Sequence, residues 1–219
     1  MKKSREEHAA RFSEKAAEYD DSKSEAYHTC ADLVVEHAAP NRTDTVVDLA
    51  TGTGAIALAL ADDAEAVVGR DISEGMLTEA RRKVEAGDVD PDAVSFDEGS
   101  FRAPNYDGPA DVVTTNFALH HLADDEKRAA VETIADLGHR TPSRAADVGP
   151  RRVVLGDVMF FGDPDPDAPF YDPEVDDPAT VGTLVDAFTD VGYAVTAVER
   201  VHDQVGVLVA ERVVAPGQE

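Results

Sequence analysis

The sequence predicts an α/β protein: a doubly wound, seven-stranded sheet, mainly parallel with an antiparallel C-terminal hairpin, and helices on both faces. Three observations lead there. Near-continuous apolar runs such as "TVVDLA" and "AVVGRD" alternate with stretches of helical periodicity, the pattern of parallel strands covered on both sides. The first run breaks on a glycine turn and resumes as the apolar helix "AIALALA". The last two runs are separated only by a few residues around His202 and Asp203, too few for a crossover helix, so they should pair antiparallel.

Taken in order, residues 4–19 and 25–38 read as helices ahead of the sheet, with Ala9, Phe12, Ala16 and Tyr19 recurring at helical spacing. Strands are expected at 45–50, 66–71, 93–96, 111–117, 152–160, 193–201 and 205–213, and further helices at 55–61, 73–86, 124–137 and 179–191. Ser73 is placed as an N-cap, and Gly87 and Gly138 as helix stops. Residues 138–151 read as a surface loop. Residues 162–178, "GDPDPDAPFYDPEVDDP", follow the carboxyl end of a strand, the edge at which open α/β sheets bind ligands. No repeat or linker divides the 219 residues, and one domain is expected.

Composition narrows the function classes. No apolar run approaches the roughly 20 residues of a membrane helix, and "MKKSREEHAARFSEKAAEYDD" has no apolar centre of a signal peptide, so a cytoplasmic protein without membrane partners is expected. Cys30 is the single cysteine, placed as a small buried residue. His8, His37, His139 and His202 show no ligand spacing, and "DPDPDAP" lacks the glycine and terminal glutamate of a calcium loop, so no metal site is expected. The net charge of −25, spread along the chain, argues against nucleic-acid partners and for adaptation to a salty interior. Such a surface repels itself when unscreened. The expected outcome is a lower melting temperature in dilute buffer than in molar potassium chloride; an identical melt in both contradicts the salt adaptation.

In "DLATGTGAIA" the chain leaves a strand at Ala50 and enters a helix near Ala55, and Gly52 and Gly54 permit a tight turn that a ligand can approach closely. Asp71 ends the next strand, 71 − 52 = 19 residues beyond the first glycine, where a carboxylate can accept from both ribose hydroxyls. An adenosine-containing ligand follows. Asp48 decides which kind. A dinucleotide pyrophosphate at this turn would be repelled by the carboxylate, whereas S-adenosylmethionine, with an ammonium and a sulfonium against one carboxylate, would be attracted.

"VVDLATGTGAIALALA", "AVVGRDISEGML", "VSFDEGSFRAP" and "DVVTTNFALHHLADDEKRAAV" resemble, in order and spacing, the motifs of class I S-adenosylmethionine-dependent methyltransferases, a Rossmann-like family. The likeness is to the small-molecule branch that includes ubiquinone- and menaquinone-biosynthesis-type enzymes, and it covers roughly residues 19–137. It implies an S-adenosylmethionine cofactor, with Asp48, Ala50, Gly52 and Gly54 around the methionine part, Asp71 on the ribose and Ile72 against the adenine. Asn116 would line the sulfonium. Ser100 stands where the family has an acidic residue for the adenine amino group, so its hydroxyl, or Phe101, would substitute; Ala50 replaces a frequent glycine. The resemblance divides the domain into an N-terminal helical lid (1–40), a cofactor-binding core (41–160) and a C-terminal loop, helix and hairpin (161–219), with Tyr19 and Asp20 closing over the cofactor beside Tyr27 and His28; alternatively these N-terminal residues are packing residues.

Methyl transfer from a sulfonium is an in-line displacement, so alignment and water exclusion carry much of the catalysis and a base is needed only if the acceptor must lose a proton. His120 and His121, just past a strand end, are the candidates to act as base or to orient the acceptor; alternatively one caps a helix and the other packs internally. Asp157, Met159, Phe160 and Phe161, with Phe170 and Tyr171, would line an acceptor pocket or join the core. The expected function is methyl transfer to a small-molecule acceptor by a monomer or homodimer. The competing readings are a non-catalytic S-adenosylmethionine-binding regulator and an NAD(P)-dependent oxidoreductase, the latter opposed by Asp48 and the lack of a Tyr-x-x-x-Lys pair. "TNFA" is not the Asn/Asp-Pro-Pro-aromatic signature of base methylation.

Overall fold

The computed structural model describes residues 5–87, 89–138, 149–163, 170–173 and 175–213. Helix α1 (Arg5–Lys15) is followed by two 3-10 turns, Ala16–Glu18 and Asp20–Ser22, and by α2 (Glu25–Ala38). Strand β1 (Thr45–Leu49), α3 (Ala55–Leu60), β2 (Ala66–Asp71), α4 (Glu74–Ala86) and β3 (Val94–Glu98) form the first wound half. Then come β4 (Val112–Asn116), α5 (Asp124–Ala135), β5 (Arg152–Phe160), the two-residue β6 (Ala179–Thr180), α6 (Val181–Asp190), β7 (Tyr193–His202) and β8 (Val205–Arg212). The sheet runs β3-β2-β1-β4-β5-β8-β7, with β6 paired to the end of β5. The seven expected strands are all present, and β5 to β8 and β8 to β7 are antiparallel while the other neighbours in the main sheet are parallel.

Alternation on β1 explains how the sheet divides the core. Val47 and Leu49 face a cluster with Ile134, Leu155, Leu184 and Phe188, on the side of α5 and α6. Val46 faces Cys30, Val34, Ile56, Leu60 and Leu77, on the side of α2, α3 and α4. Because side chains alternate along a strand, Asp48 shares the Val46 face and looks toward α2. Among the described residues no helix is long and apolar enough to cross a membrane. Cys30 is buried, as expected, and its Sγ donates to Asn116 Oδ1 at 3.3 Å.

The first helix ends sooner than its periodicity suggests. At Ala16 the chain tightens, so that Tyr19 turns inward while Asp20 points to Thr53 Oγ1 at 2.7 Å and Lys83 Nζ at 2.5 Å. Ser73 caps α4 by accepting from Met76 N at 3.3 Å, as read from the sequence. Gly87 ends α4 in extended backbone, whereas Gly138 has φ +82° and ends the turn after α5. Most of 138–151 lies outside the described residues.

Lys127 ties α5 to the loop after β5. Its side chain is 2% exposed, and its ammonium donates to Leu122 O at 2.7 Å, Asp177 O at 2.5 Å and Asp124 Oδ1 at 3.2 Å, using all three donors. Lys127→Met should cost about 2 kcal/mol, because two carbonyls lose a charged donor. A denaturant midpoint equal to that of the unchanged protein contradicts this.

Candidate active site

A cavity of about 280 Å³ opens at the carboxyl ends of β1, β2 and β4. That is where the strand order reverses across β1 and β4, the usual ligand crevice of a doubly wound sheet. Its floor is the turn after β1. Ala50 (φ +56°), Gly52 (φ +55°) and Gly54 (φ +83°) are all left-handed, and Thr51 N and Gly54 N are tied to Arg70 O and Thr51 O. The two glycines do different work. A Cβ on Gly52 would meet nothing within 4 Å, so this residue leaves the cavity floor open. A Cβ on Gly54 would lie 3.0 Å from the Phe96 ring and 3.2 Å from Ala80, so Gly54 lets α3 settle on β3 and α4. Gly54 is not among the residues that line the cavity, and its bareness serves packing.

Ala50 holds a conformation that favours glycine. Replacing it with glycine should stabilise the protein by roughly 0.5–1 kcal/mol, the relief of left-handed strain less the entropy a glycine adds to the unfolded chain. Thermal melts test this; a lower melting temperature for the glycine variant contradicts it.

Two carboxylates face the turn. Asp48 is 1% exposed; its oxygens accept from Thr51 Oγ1 at 2.6 Å and Thr114 Oγ1 at 2.7 Å. Burial pushes its pKa up to about 6 despite both hydroxyls, with Asp71 adding to the rise. Asp71 accepts from Gly52 N and Ser73 N, both at 2.8 Å, so it locks the turn to the start of α4; burial raises it against those amide bonds. Each carboxylate oxygen has a further lone pair for a ligand donor.

The side walls are apolar, with Ile72 and Met76 on α4's approach and Phe101 after β3. Ser100 lines the cavity too, although its hydroxyl accepts from Ala103 N at 3.1 Å. Asn116 enters at the end of β4. A Cβ at Gly156 would fall 2.3 Å from Asn116 Oδ1, so this glycine on β5 makes room for it. Tyr19 and Tyr27 also line the cavity, and burial raises both phenols. Lys23 Nζ lies 3.3 Å and 4.5 Å from the two ring centroids, and burial, more than Asp20 opposes it, lowers Lys23 to about 8.

The two histidines part company. His121 lines the cavity, 5.0 Å from the His8 ring and 5.5 Å from Phe12, with Nδ1 2.6 Å from Asp176 Oδ1. Burial holds it below the ordinary imidazole range against the pull of Asp176. His120 does not line the cavity. It is 6% exposed, Nδ1 is 2.5 Å from Asp157 Oδ1, and its N–H donates to Asp157 Oδ2 at 3.0 Å. Both residues lie in the 3-10 turn Leu119–His121; their rings stay 4.0 Å apart, the His121 ring lining the cavity and the His120 ring meeting Asp157 on β5.

Of the residues expected at the site, Asp48, Ala50, Gly52, Asp71, Ile72, Ser100, Phe101, Asn116, Tyr19 and His121 line the cavity, and Gly54 and His120 do not. Nor do Met159, which is buried in the core, or Phe160, Phe161, Phe170 and Tyr171; Phe12, Tyr27 and Phe117 supply the aromatic wall. Thr51, Thr114 and Asp176 were not singled out from the sequence. Thr51 sits inside the glycine motif, but only tertiary pairing brings in Thr114, from the neighbouring strand, and Asp176, from a distant loop. Among the described residues, His120, His121 and Asp176 are the group with metal-ligating atoms close together, within 4.8 Å of one another, although no metal site was expected; His139 lies outside the described residues.

Residues 46–139 match the family described as "Methyltransferase domain", the same stretch that carries the motifs. The chain is 44% identical over 99 residues to a demethylmenaquinone methyltransferase of Thermus thermophilus, an alignment covering 44% of this chain and 42% of that one. It spans about half the length of the curated relatives it matches. Among solved structures, the DhpI–SAH complex aligns with a TM-score of 0.68 at 23% identity, covering 95% of this chain and 96% of that one. Magnesium protoporphyrin IX methyltransferase from Synechocystis PCC 6803 with bound SAM aligns at 0.64 and 21% identity, covering 86% and 80%. The fold and the resemblance read from the motifs are borne out.

Proposed function

We propose that the chain, whose residues 46–139 match a methyltransferase domain, transfers the methyl group of S-adenosylmethionine to a small-molecule acceptor. The observation that carries this is the buried carboxylate of Asp48 at the bare turn of Gly52, inside the cavity that also holds Asp71. A desolvated anion there favours a cationic ligand over a pyrophosphate. In this reading Asp48 faces the ammonium of the methionine part, Asp71 takes the ribose hydroxyls, and Ile72, Met76 and Phe101 sandwich the adenine. Ser100 or its neighbouring backbone meets the adenine amino group, and Asn116 borders the sulfonium. The acceptor enters on the side of His121.

The reaction breaks the bond from methyl carbon to sulfur, returns the pair to sulfur and forms the new bond in line. The residues need to align two bound molecules and exclude water, which Tyr19 and Tyr27 do from above. Asp20, held by Thr53 and Lys83, latches the N-terminal segment to the glycine turn and α4. The reading extends to a cytoplasmic monomer or homodimer without a membrane partner; the net charge of −25 supports its salt adaptation and the lack of a nucleic-acid partner. Release of S-adenosylhomocysteine from S-adenosylmethionine, screened with fractionated metabolite extracts, tests it. At least one fraction should support turnover; bound donor with no release in any fraction favours a non-catalytic binding protein.

A further inference from the structure

We propose that His120, His121 and Asp176 form a binding site for a divalent first-row transition ion at the acceptor end of the cavity. The proposal rests on the reading of the cavity as a methyl-transfer site. Two imidazoles and one carboxylate suit zinc, manganese, iron, cobalt or nickel, and a set of three leaves coordination positions open toward an incoming molecule. The three groups present ligand atoms within 4.8 Å of one another, and the rings of His120 and His121 are 4.0 Å apart.

The surroundings have the form of a supported site. Metal-bound histidines carry their other nitrogen on a carboxylate, which fixes the ring. Asp157 does this for His120: Oδ1 is 2.5 Å from Nδ1, Oδ2 takes the His120 N–H, and Oδ1 also accepts from Val158 N at 2.8 Å. Nε2 of His120 is left as the ligating atom. Asp176 is fixed by its own backbone segment, since Oδ2 accepts from Asp172 N at 2.9 Å. That segment is in turn pinned to the histidine turn through Asp177 N to His120 O at 2.6 Å and through Lys127 Nζ to Asp177 O. His121 is 17% exposed on its side chain and faces the cavity, which provides the way in.

Charge points the same way. The side chains of Asp157 and Asp176 are only 2% and 7% exposed, and among the described residues neither forms an ion pair with lysine or arginine. Backbone N–H groups and imidazoles are the partners shown for both carboxylates, and a divalent ion held by Asp176 and the two histidines would supply the positive charge that this buried, acidic group lacks. The ion would hold an acceptor oxygen or nitrogen beside the donor methyl and lower its proton affinity. The acceptor class that follows is a chelating one, such as a hydroxyl next to a carbonyl or a second hydroxyl. Its proton leaves to solvent at the cavity mouth, the oxygen–methyl bond forms, and the carbon–sulfur bond breaks with its pair to sulfur.

Cobalt(II) titration of the chelator-stripped full chain, followed by visible d–d absorption, tests the site. One ion per chain should bind with a band typical of nitrogen and oxygen ligands, and Asp176→Ala and His121→Ala should each weaken binding at least tenfold. Asp157→Asn, which loosens the ring of His120, should weaken it by roughly 10–100-fold. Circular dichroism and donor titration on the same variants show that they are folded. Cobalt bound equally well by the unchanged protein and the Asp176→Ala and His121→Ala variants, or no d–d band, overturns the ion site while leaving S-adenosylmethionine binding intact. Loss of donor binding in the unchanged protein would instead overturn the methyl-transfer reading itself.

Discussion

Asp48→Asn is expected to weaken S-adenosylmethionine binding about a hundredfold, the effect of leaving a buried charge without its partner. It should also abolish the pH dependence of binding. In the unliganded protein burial raises the Asp48 pKa to about 6, above its unfolded value of about 3.9. The raised pKa means the folded chain holds this proton more tightly than the unfolded chain does. Its contribution to stability is therefore largest below about pH 4 and declines as pH rises through about 6. A cationic ligand reverses the preference, because it stabilises the carboxylate. Binding then releases a proton below about pH 6, and affinity rises with pH until Asp48 is ionised. At pH 5 binding should be about tenfold weaker than at pH 7. Calorimetry in buffers of different ionisation enthalpy reads the proton directly. Affinity that is flat from pH 5 to pH 7 in the unchanged protein would remove Asp48 as the counter-charge.

His121→Ala should lower turnover roughly a hundredfold while leaving the donor dissociation constant within a few fold. In the proposed reading His121 meets the acceptor; it lines the cavity, with Nδ1 2.6 Å from Asp176 Oδ1. Removing the ring disturbs what the acceptor meets without touching Asp48, Gly52 or Asp71. His120→Ala should behave differently. It strands the Asp157 carboxylate, 2% exposed on its side chain, so the first loss is stability, read as a lower denaturant midpoint. Unchanged turnover in His121→Ala would exclude this residue from the reaction.

Adjacent in sequence and 4.0 Å apart ring to ring, these histidines nonetheless meet different surroundings, one at the cavity and the other against Asp157. Strands and helices were legible because burial imposes period 2 or 3.6 on the apolar residues, and every strand of the main sheet lies where that pattern put it. Gly52 and Asp71 were legible from their spacing, and they meet through a hydrogen bond of 2.8 Å. Gly54 looks like Gly52 in a string of letters, and only the approach of the Phe96 ring reveals that one glycine serves packing and the other the cavity. Tyr19 continued a helical stripe on paper, yet the chain leaves the α-helix at Lys15 and turns it inward. Thr114 and Asp176 had no local signal: each reaches its partner across a sheet neighbour or a loop, 66 and 55 residues away in sequence.

Calorimetric titration of the full chain with S-adenosylmethionine, S-adenosylhomocysteine and NAD, in molar salt at pH 7, tests the central claim most directly. S-adenosylmethionine and S-adenosylhomocysteine should each bind at one site per chain, and NAD should give no heat beyond dilution. Binding of NAD with no response to either sulfur ligand would contradict the assignment of the Asp48 and Gly52 turn to a cationic methyl donor.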